Sequence, residues 1–259
     1  MPTPFESLLD LSGKVAIVTG GGTGIGKAIT LELAKTGCNL AIASRKLENL
    51  EPTAREVNAL GRKCIYLATD LRQVDQIENM VHRTEEEYGR IDILVNNAGV
   101  NFNSPAEKIS PNGWNTIISI NLSGAFLCSR AVFPIMARQK KGTIINIASV
   151  GGEGARPLAC HYGASKAGMI NLTQSLAAEW APQGIRVNCI APGPILTEGI
   201  KGVWKLKEGD PSPFPITIGR WGQPEEIGYA AVFMASEASS FITGAVLDVA
   251  GGSRLPQMS

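Results

Sequence analysis

The stretch VAIVTGGGTGIGKAI, Val15 to Ile29, decides the fold. It opens on VAIV, an apolar and largely β-branched run suited to a buried strand. From Gly24 onward apolar residues recur at helical spacing, and the glycines between let the chain turn sharply and come close to a ligand. A strand that turns over glycines into a helix is where an α/β sheet holds a dinucleotide, with the helix N-terminus aimed at the pyrophosphate. The fingerprint GxGxxG does not fit. Counted from Gly20 its last glycine falls on Ile25, and no other starting glycine repairs the register. The glycines run instead Gly20, Gly24, Gly26. The competing reading is a glycine-rich turn without a ligand.

Working outward, six more short apolar runs alternate with longer amphipathic ones. The strands expected are Val15 to Val18, Leu40 to Ala43, Cys64 to Ala68, Ile91 to Asn96, Thr143 to Ala148, Ile185 to Ile190 and Ala245 to Val249. Helices are expected over Gly24 to Lys35, Leu47 to Leu60, Val74 to Tyr88, Ser110 to Arg138, His161 to Trp180 and Pro224 to Ala235. Continuously apolar strands separated by helices mean a parallel sheet covered on both faces. The fold expected is therefore α/β, a Rossmann-type doubly wound, seven-stranded parallel sheet in one domain spanning 1–259. The rhythm breaks at about 197–221, where GVWKLKEGDPSPFP reads as an inserted substrate loop. Its Trp204, Phe214 and Pro215 are apolar enough to close over a ligand.

Composition narrows the classes of function. Of 259 residues 44% are hydrophobic and 18% charged, with a formal net charge of +1, so no basic footprint suggests nucleic acid. No uninterrupted apolar run approaches the ~18 residues of a membrane span. MPTPFESLLD lacks the basic-then-apolar order of a secretory signal, so cytoplasm is expected, and LPQMS, which is no peroxisomal signal, speaks against a peroxisomal enoyl reductase. Cys38, Cys64, Cys128, Cys160 and Cys189 stand singly, which suits reduced thiols. With His82 and His161 as its only histidines, the chain has little material for a zinc site, and no metal is expected.

The second informative stretch is HYGASKAG, His161 to Gly168. On a helix Tyr162 and Lys166 share a face. A fixed cation there favours the phenolate and brings the hydroxyl toward proton transfer near neutral pH. A half-exposed ring beside a solvated amine is the plainer alternative. Together the glycine turn TGGGTGIG, NNAG (Asn96 to Gly99), Asn121, Ser149, the Tyr162–Lys166 pair and PGPILT (Pro192 to Thr197) resemble the short-chain dehydrogenases/reductases, in the branch carrying TGxxxGxG and YxxxK. The spacings agree too, Ser149 standing 13 residues before Tyr162 and Asn121 28 before Ser149. The resemblance covers roughly residues 11 to 252.

What that resemblance implies is a hydride-transfer enzyme. Tyr162 is the general acid or base at a carbonyl or carbinol oxygen, Lys166 lowers its pKa and holds the nicotinamide ribose, Ser149 fixes the substrate oxygen, and Asn121 holds a water on the proton path. The cofactor site implied comprises Gly20, Thr23, Gly24, Ile25, Gly26, Ser44, Arg45, Lys46, Asp70, Leu71, Asn97, Ala98, Gly99, Tyr162, Lys166, Pro192, Gly193, Ile195 and Thr197. Within it Asp70 meets the adenine edge, Asn97 the adenosine side and Thr197 the nicotinamide amide. A loop aspartate and a capping threonine are the ordinary alternatives. At the end of the second strand Ser44, Arg45 and Lys46 replace the acidic residue that NAD enzymes use, so NADP is the cofactor expected, with NAD second. Thr23, however, stands where many NADP enzymes of the family carry a basic residue.

ASRKLENL and SFITG resemble the acyl-thioester branch, and the intact Ser-Tyr-Lys set favours ketone over enoyl reduction, so the substrate expected is a 3-oxoacyl-thioester-type ketone. Dehydrogenation of a small cyclic, sugar or hydroxy-acid alcohol is the rival, and a non-catalytic nucleotide sensor a more distant one. Cys160 and His161 are expected to pack the site and not to react. The family further implies a homotetramer, with the helices Ser110 to Arg138 and His161 to Trp180 against a twofold mate.

Overall fold

The computed structural model describes residue 3, residues 7–207 and residues 209–253, apart from the side chains of 203 and 204. LPQMS, most of MPTPFE and the Trp204 side chain, on which expectations above rest, lie outside the described residues. The strands are β1 (Val15–Thr19), β2 (Asn39–Ser44), β3 (Cys64–Ala68), β4 (Ile93–Asn96), β5 (Gly142–Ile147), β6 (Ile185–Pro192) and β7 (Val246–Val249). They form one seven-stranded sheet in the order β3-β2-β1-β4-β5-β6-β7, every neighbouring pair parallel. The helices are α1 (Gly24–Lys35), α2 (Glu51–Ala59), α3 (Val74–Tyr88), α4 (Pro111–Ile118), α5 (Gly124–Gln139), α6 (Cys160–Trp180), α7 (Glu198–Trp204) and α8 (Pro224–Ala235).

Alternation along the strands sorts the core into two layers. Ala16 and Val18 of β1 point with Ile42 and Val95 toward Ile29 and Leu33 of α1, Val57 of α2 and Ile227 and Ala231 of α8. Ile17, between them in sequence, points the other way, with Leu94 and Ile144, toward Met80 of α3, Val132 and Met136 of α5 and Leu176 of α6. Because both faces are covered, the central strands carry apolar residues on both sides over most of their length, and that is why they read as near-continuous runs.

The chain reverses its direction of travel across the sheet between β1 and β4. Register there pairs Val18 with Val95, and Thr19 with Ala43 on the other side, so the carboxyl ends of β1, β2 and β4 finish level. A crevice opens at such a point because the connections leave to opposite sides.

Two elements depart from the sequence reading. The helix expected over Ser110 to Arg138 is divided, α4 and α5 being joined by a wide π-type turn, Ser119–Ser123, that holds Asn121. Turns of this kind gather at functional sites. The loop expected at 197–221 begins with α7, capped where the Thr197 Oγ1 accepts a 3.2 Å hydrogen bond from the Ile200 N–H. The run Pro111–Gln139 is also long and apolar enough to cross a membrane, although Asn121 and Arg130 interrupt it. Its Ile117, Cys128, Val132, Ile135 and Met136 are buried within the protein.

Candidate active site

The glycine turn is built against backbone. Gly20 has φ +67° and its N–H donates to the Ala43 carbonyl at 2.6 Å. A Cβ on Gly26 would stand 2.1 Å from the Gly20 oxygen, so α1 reaches the turn only because that atom is missing. Thr23 precedes the helix, exposed, and offers it no side-chain cap. The leading N–H groups of α1 are thus left for an outside acceptor, and a pyrophosphate suits them. Ile25 turns its side chain into the core.

One residue not singled out from sequence ties this turn together. The Thr19 Oγ1 donates to the Val95 carbonyl at 3.2 Å and accepts from the N–H groups of Asn97 at 3.0 Å and Ala98 at 3.1 Å. It locks β1 to the loop after β4 across the crevice. The Asn97 amide donates back to the Thr19 carbonyl at 3.0 Å. A signal was present: a threonine closing an otherwise apolar, buried strand at its carboxyl end.

At the end of β2 the Ser44 hydroxyl donates to the Lys46 carbonyl at 3.0 Å, bending the chain so that Arg45 and Lys46 project into solvent. Lys46 lies 3.7 Å from Glu48, whereas Arg45 makes no ion pair among the described residues. Asp70, after β3, is held by Arg72, whose Nε donates to its Oδ1 at 2.9 Å, and this partner keeps the carboxyl below its ordinary pKa. Its N–H donates to Gln76. Leu71 buries its side chain in the core, where a Cβ on Gly124 would touch it, so only its main chain is left to face the cleft.

Beyond β6, Pro192 still pairs with Val249, and Gly193 lies so close to Ala250 that a Cβ would come within 2.7 Å of its Cα. Ile195 is buried and bridges to Gly222. Thr197 then arrives at the glycine turn, its Cγ2 standing 3.4 Å from where a Cβ on Gly24 would be. Its hydroxyl caps α7, as the ordinary reading of a threonine there had it.

The proton-handling groups meet at the carboxyl end of β5. Ser149, two residues past the strand, accepts the Gly151 N–H at 3.0 Å, which leaves its own proton to give. Tyr162 is half-buried in the first turn of α6, and the Ser149 hydroxyl lowers the pKa of its phenol. Lys166 is buried, and its Nζ donates to the Ile147 carbonyl at 2.7 Å. Asn121 is fully buried. Its Oδ1 accepts the Val100 N–H at 2.8 Å and its Nδ2 donates to the Val100 carbonyl at 3.0 Å and to the Ser165 hydroxyl at 3.1 Å. Ser165 passes the bond on to the Tyr162 carbonyl at 2.7 Å. Gly99 sits between, a Cβ there standing 3.4 Å from the Asn121 Oδ1 and 3.6 Å from the Lys166 Nζ.

The electrostatics of the cluster involve more groups than the pair read in the sequence. Burial holds the Tyr162 phenol above its ordinary value, while the Ser149 hydrogen bond and the charge of Arg156 pull it down. Lys166 places a cation 5.7 Å from the ring centroid, one of its N–H groups donates to the Ile147 carbonyl, and burial pushes its pKa down to about 8. His161 is buried with neither ring nitrogen hydrogen-bonded, and its ring meets Phe102 edge-on at 4.3 Å, which is packing. Cys160 is exposed.

A reversed-order parallel sheet, a glycine turn facing an uncapped helix and a Ser-Tyr-Lys cluster beside it define a nicotinamide-dependent oxidoreductase acting between CH–OH and C=O. A family model described as short chain dehydrogenase matches residues 14–207, and the chain belongs to that family. It is 40% identical over 248 residues to a peroxisomal 2,4-dienoyl-CoA reductase of Danio rerio, covering 95% of this chain and 83% of that one. To the 3-oxoacyl-[acyl-carrier-protein] reductase FabG of Thermotoga maritima it is 38% identical over 245 residues, covering 93% and 98%. Among solved structures, a gluconate 5-dehydrogenase of Burkholderia cenocepacia in complex with NADP and tartrate superposes with a TM-score of 0.91 at 34% identity, covering 98% of this chain and 100% of that one.

Proposed function

We propose that the protein is an NADP(H)-dependent ketone reductase whose substrate is a 3-oxoacyl thioester. The observation that carries the reaction class is the meeting of Ser149, Tyr162 and Lys166 at the carboxyl end of β5, next to the glycine turn. NADPH, when bound, supplies the hydride. The residues present fit it: α1 offers N–H groups without a side-chain cap at a turn where a Cβ on Gly26 would collide, and Arg45 offers an exposed guanidinium at the end of β2 that makes no ion pair among the described residues. Arg45 suits a 2′-phosphate through charge-assisted hydrogen bonds.

The chain's own residues manage the oxygen and the proton. The Ser149 O–H donates to the substrate carbonyl oxygen and fixes it. Tyr162, kept protonated at neutral pH by burial, donates its proton to that oxygen as the carbon is reduced, and Ser149 and Arg156 ease the phenolate that remains. Lys166 has donors to spare beyond Ile147, which suit ribose hydroxyls. Asn121 clamps Val100 to α6 and so fixes the position of Tyr162 through Ser165. The thioester choice is supported by the two acyl-thioester relatives and by the intact Ser-Tyr-Lys set. Dehydrogenation of a hydroxy acid is the second reading, supported by the gluconate dehydrogenase neighbour.

The test is a panel of 3-oxoacyl thioesters, simple ketones, sugar acids and alcohols, followed by NADPH or NADH absorbance. Turnover of the oxoacyl thioesters above the rest is expected, and preference for a sugar acid overturns the thioester reading. Tyr162→Phe is expected to lose about 10²–10⁴-fold in kcat with NADPH binding intact. A loss of only a few-fold refutes its role.

A further inference from the structure

Arg156 was not picked out by any motif, yet it stands at the mouth of the site. Its Cδ and the Ser149 Oγ each lie 3.4 Å from the point where a Cβ on Gly151 would stand, so the two flank the same spot. Its Cβ lies 3.3 Å from the corresponding point on Gly163, the residue after Tyr162. The guanidinium carbon lies 5.5 Å from the centroid of the Phe214 ring, which belongs to the segment after α7. Arg156 is exposed and makes no ion pair among the described residues. A guanidinium carries five N–H donors in a rigid fork, and a cation over a ring face keeps its edge free to donate.

The backbone that presents this side chain is strained. The Ala159 N–H donates to the Arg156 carbonyl at 3.1 Å, closing a four-residue turn around Pro157 and Leu158. Leu158 has φ +62°, the left-handed conformation that such a turn ordinarily gives to glycine. For a leucine this costs roughly 1–2 kcal/mol. The turn is held by the Ser104 N–H, which donates to the Leu158 carbonyl at 2.8 Å from the loop that also carries Phe102. Phe102 and Leu158, on the two segments that this bond joins, are both exposed. Backbone strain retained beside reacting groups is a mark of a binding feature.

We propose that Arg156 binds the acyl oxygen two carbons from the reacting carbonyl, and that the enzyme thereby selects 3-oxoacyl groups. Ser149 takes the reacting oxygen, and the next acceptor along such a substrate is the oxygen on C1, which a guanidinium whose stem lies beside the same spot as the Ser149 hydroxyl is placed to meet. A carrier's phosphates lie many bonds further away and do not reach this spot. A thioester carbonyl and a free carboxylate present the same acceptor in the same place. Phe214, stacked on the guanidinium, closes the far side and links substrate capture to the 197–221 segment. The charge also lowers the pKa of Tyr162, so a ligand that occupies the guanidinium is coupled to the proton donor.

The proposal rests on the ketone-reductase reading, and the test separates the two. With NADPH, kcat and KM are measured for the N-acetylcysteamine thioester of acetoacetate, for acetoacetate and for 2-pentanone, on the parent, Arg156→Gln and Arg156→Lys. The readout is the ratio of kcat/KM on each acetoacetyl probe to that on 2-pentanone, which is internal to each preparation and unaffected by a loss of folded protein. Arg156→Gln is expected to lower the ratio roughly ten- to hundredfold, the worth of one charge-assisted hydrogen bond, mostly through KM. Arg156→Lys is expected to keep part of it. The probe with the larger drop identifies the thioester carbonyl or the carboxylate as the natural acceptor. An unchanged ratio, with all three substrates suffering equally or not at all, overturns the proposal. So does a parent that reduces 2-pentanone and neither acetoacetyl probe, which leaves the ketone-reductase reading standing. A parent that reduces none of the three overturns both.

Discussion

Replacing Gly26 by alanine tests whether the glycine turn is a cofactor cradle or only a tight corner. The added Cβ would stand 2.1 Å from the Gly20 oxygen, 2.8 Å from the Gly20 carbon and 2.4 Å from the Asn97 Nδ2, where ordinary contact begins at 3.4 Å. Two of the three obstructing atoms are backbone, and Gly20 is itself held by its 2.6 Å bond to Ala43, so α1 must give way by about 1 Å. Overpacking of this kind costs about 1–3 kcal/mol, which in a chain of this size is a few degrees in Tm, at ~2–4 °C per kcal/mol. Displacement of the α1 N-terminus should cost more in function than in stability, since a 1 Å misplacement is worth up to ~10²-fold. Gly61→Ala is the matched control. Gly61 has φ +75° with nothing within 4 Å of a built Cβ, so alanine there carries only the left-handed strain, about 1–2 kcal/mol. It lies at the amino end of β3, away from the cleft. Both variants should melt a few degrees early, and Gly26→Ala alone should weaken NADPH binding at least tenfold by titration calorimetry. Unaltered NADPH affinity in Gly26→Ala, or equal weakening in both, refutes the reasoning.

Three further outcomes are expected. Ser44→Asp with Arg45→Ala should reverse cofactor preference, because it removes a cation worth roughly ten- to hundredfold toward the 2′-phosphate and offers the ribose hydroxyls of NAD an acceptor; an unchanged NADPH/NADH ratio of kcat/KM means that Arg45 does not read the phosphate. Burial lowers Lys166 to about 8, below the lysine of an unfolded chain at ~10.4, so between those values the unfolded state holds more protons, and the stability of the parent relative to Lys166→Met should climb with pH. A pH-independent difference in denaturant midpoints contradicts it. Light scattering should report a homotetramer, an expectation in keeping with the exposed Phe126 of α5 and Tyr229 of α8, and a monomer at micromolar concentration refutes it.

What was legible in the sequence, and what was not, follows the range of the forces involved. Both ends of α1 and of α3 coincide with the periodic apolar pattern, because those helices are defined by a stripe packed on a sheet. The division between α4 and α5 was invisible, since the turn at Ser119–Ser123 accompanies the hydrogen bonds of Asn121 to Val100 and Ser165, partners 21 and 44 residues away. The sequence does not announce α7, because seven residues carry too little periodicity, and its local signal, a threonine at the N-cap, suits a cap and a ligand contact alike. The Tyr162–Lys166 pair was legible as geometry: spacing shows that two groups share a face, and says nothing of the Ile147 carbonyl to which the ammonium also donates. Arg156 escaped because leucine is the wrong residue to announce a left-handed turn, so the strain at Leu158 exists only in three dimensions.

The central claim is that hydride passes to a ketone carbon while Tyr162 protonates its oxygen. The most direct measurement is transfer of label from NADPH deuterated at C4 of the nicotinamide, prepared separately on each face, to the N-acetylcysteamine thioester of acetoacetate. The account predicts a 3-hydroxyacyl product with a single deuterium at C3, from only one of the two labelled faces, formed by the parent and lost in Tyr162→Phe. Deuterium elsewhere in the product, equal transfer from both faces, or undiminished transfer by Tyr162→Phe would contradict it.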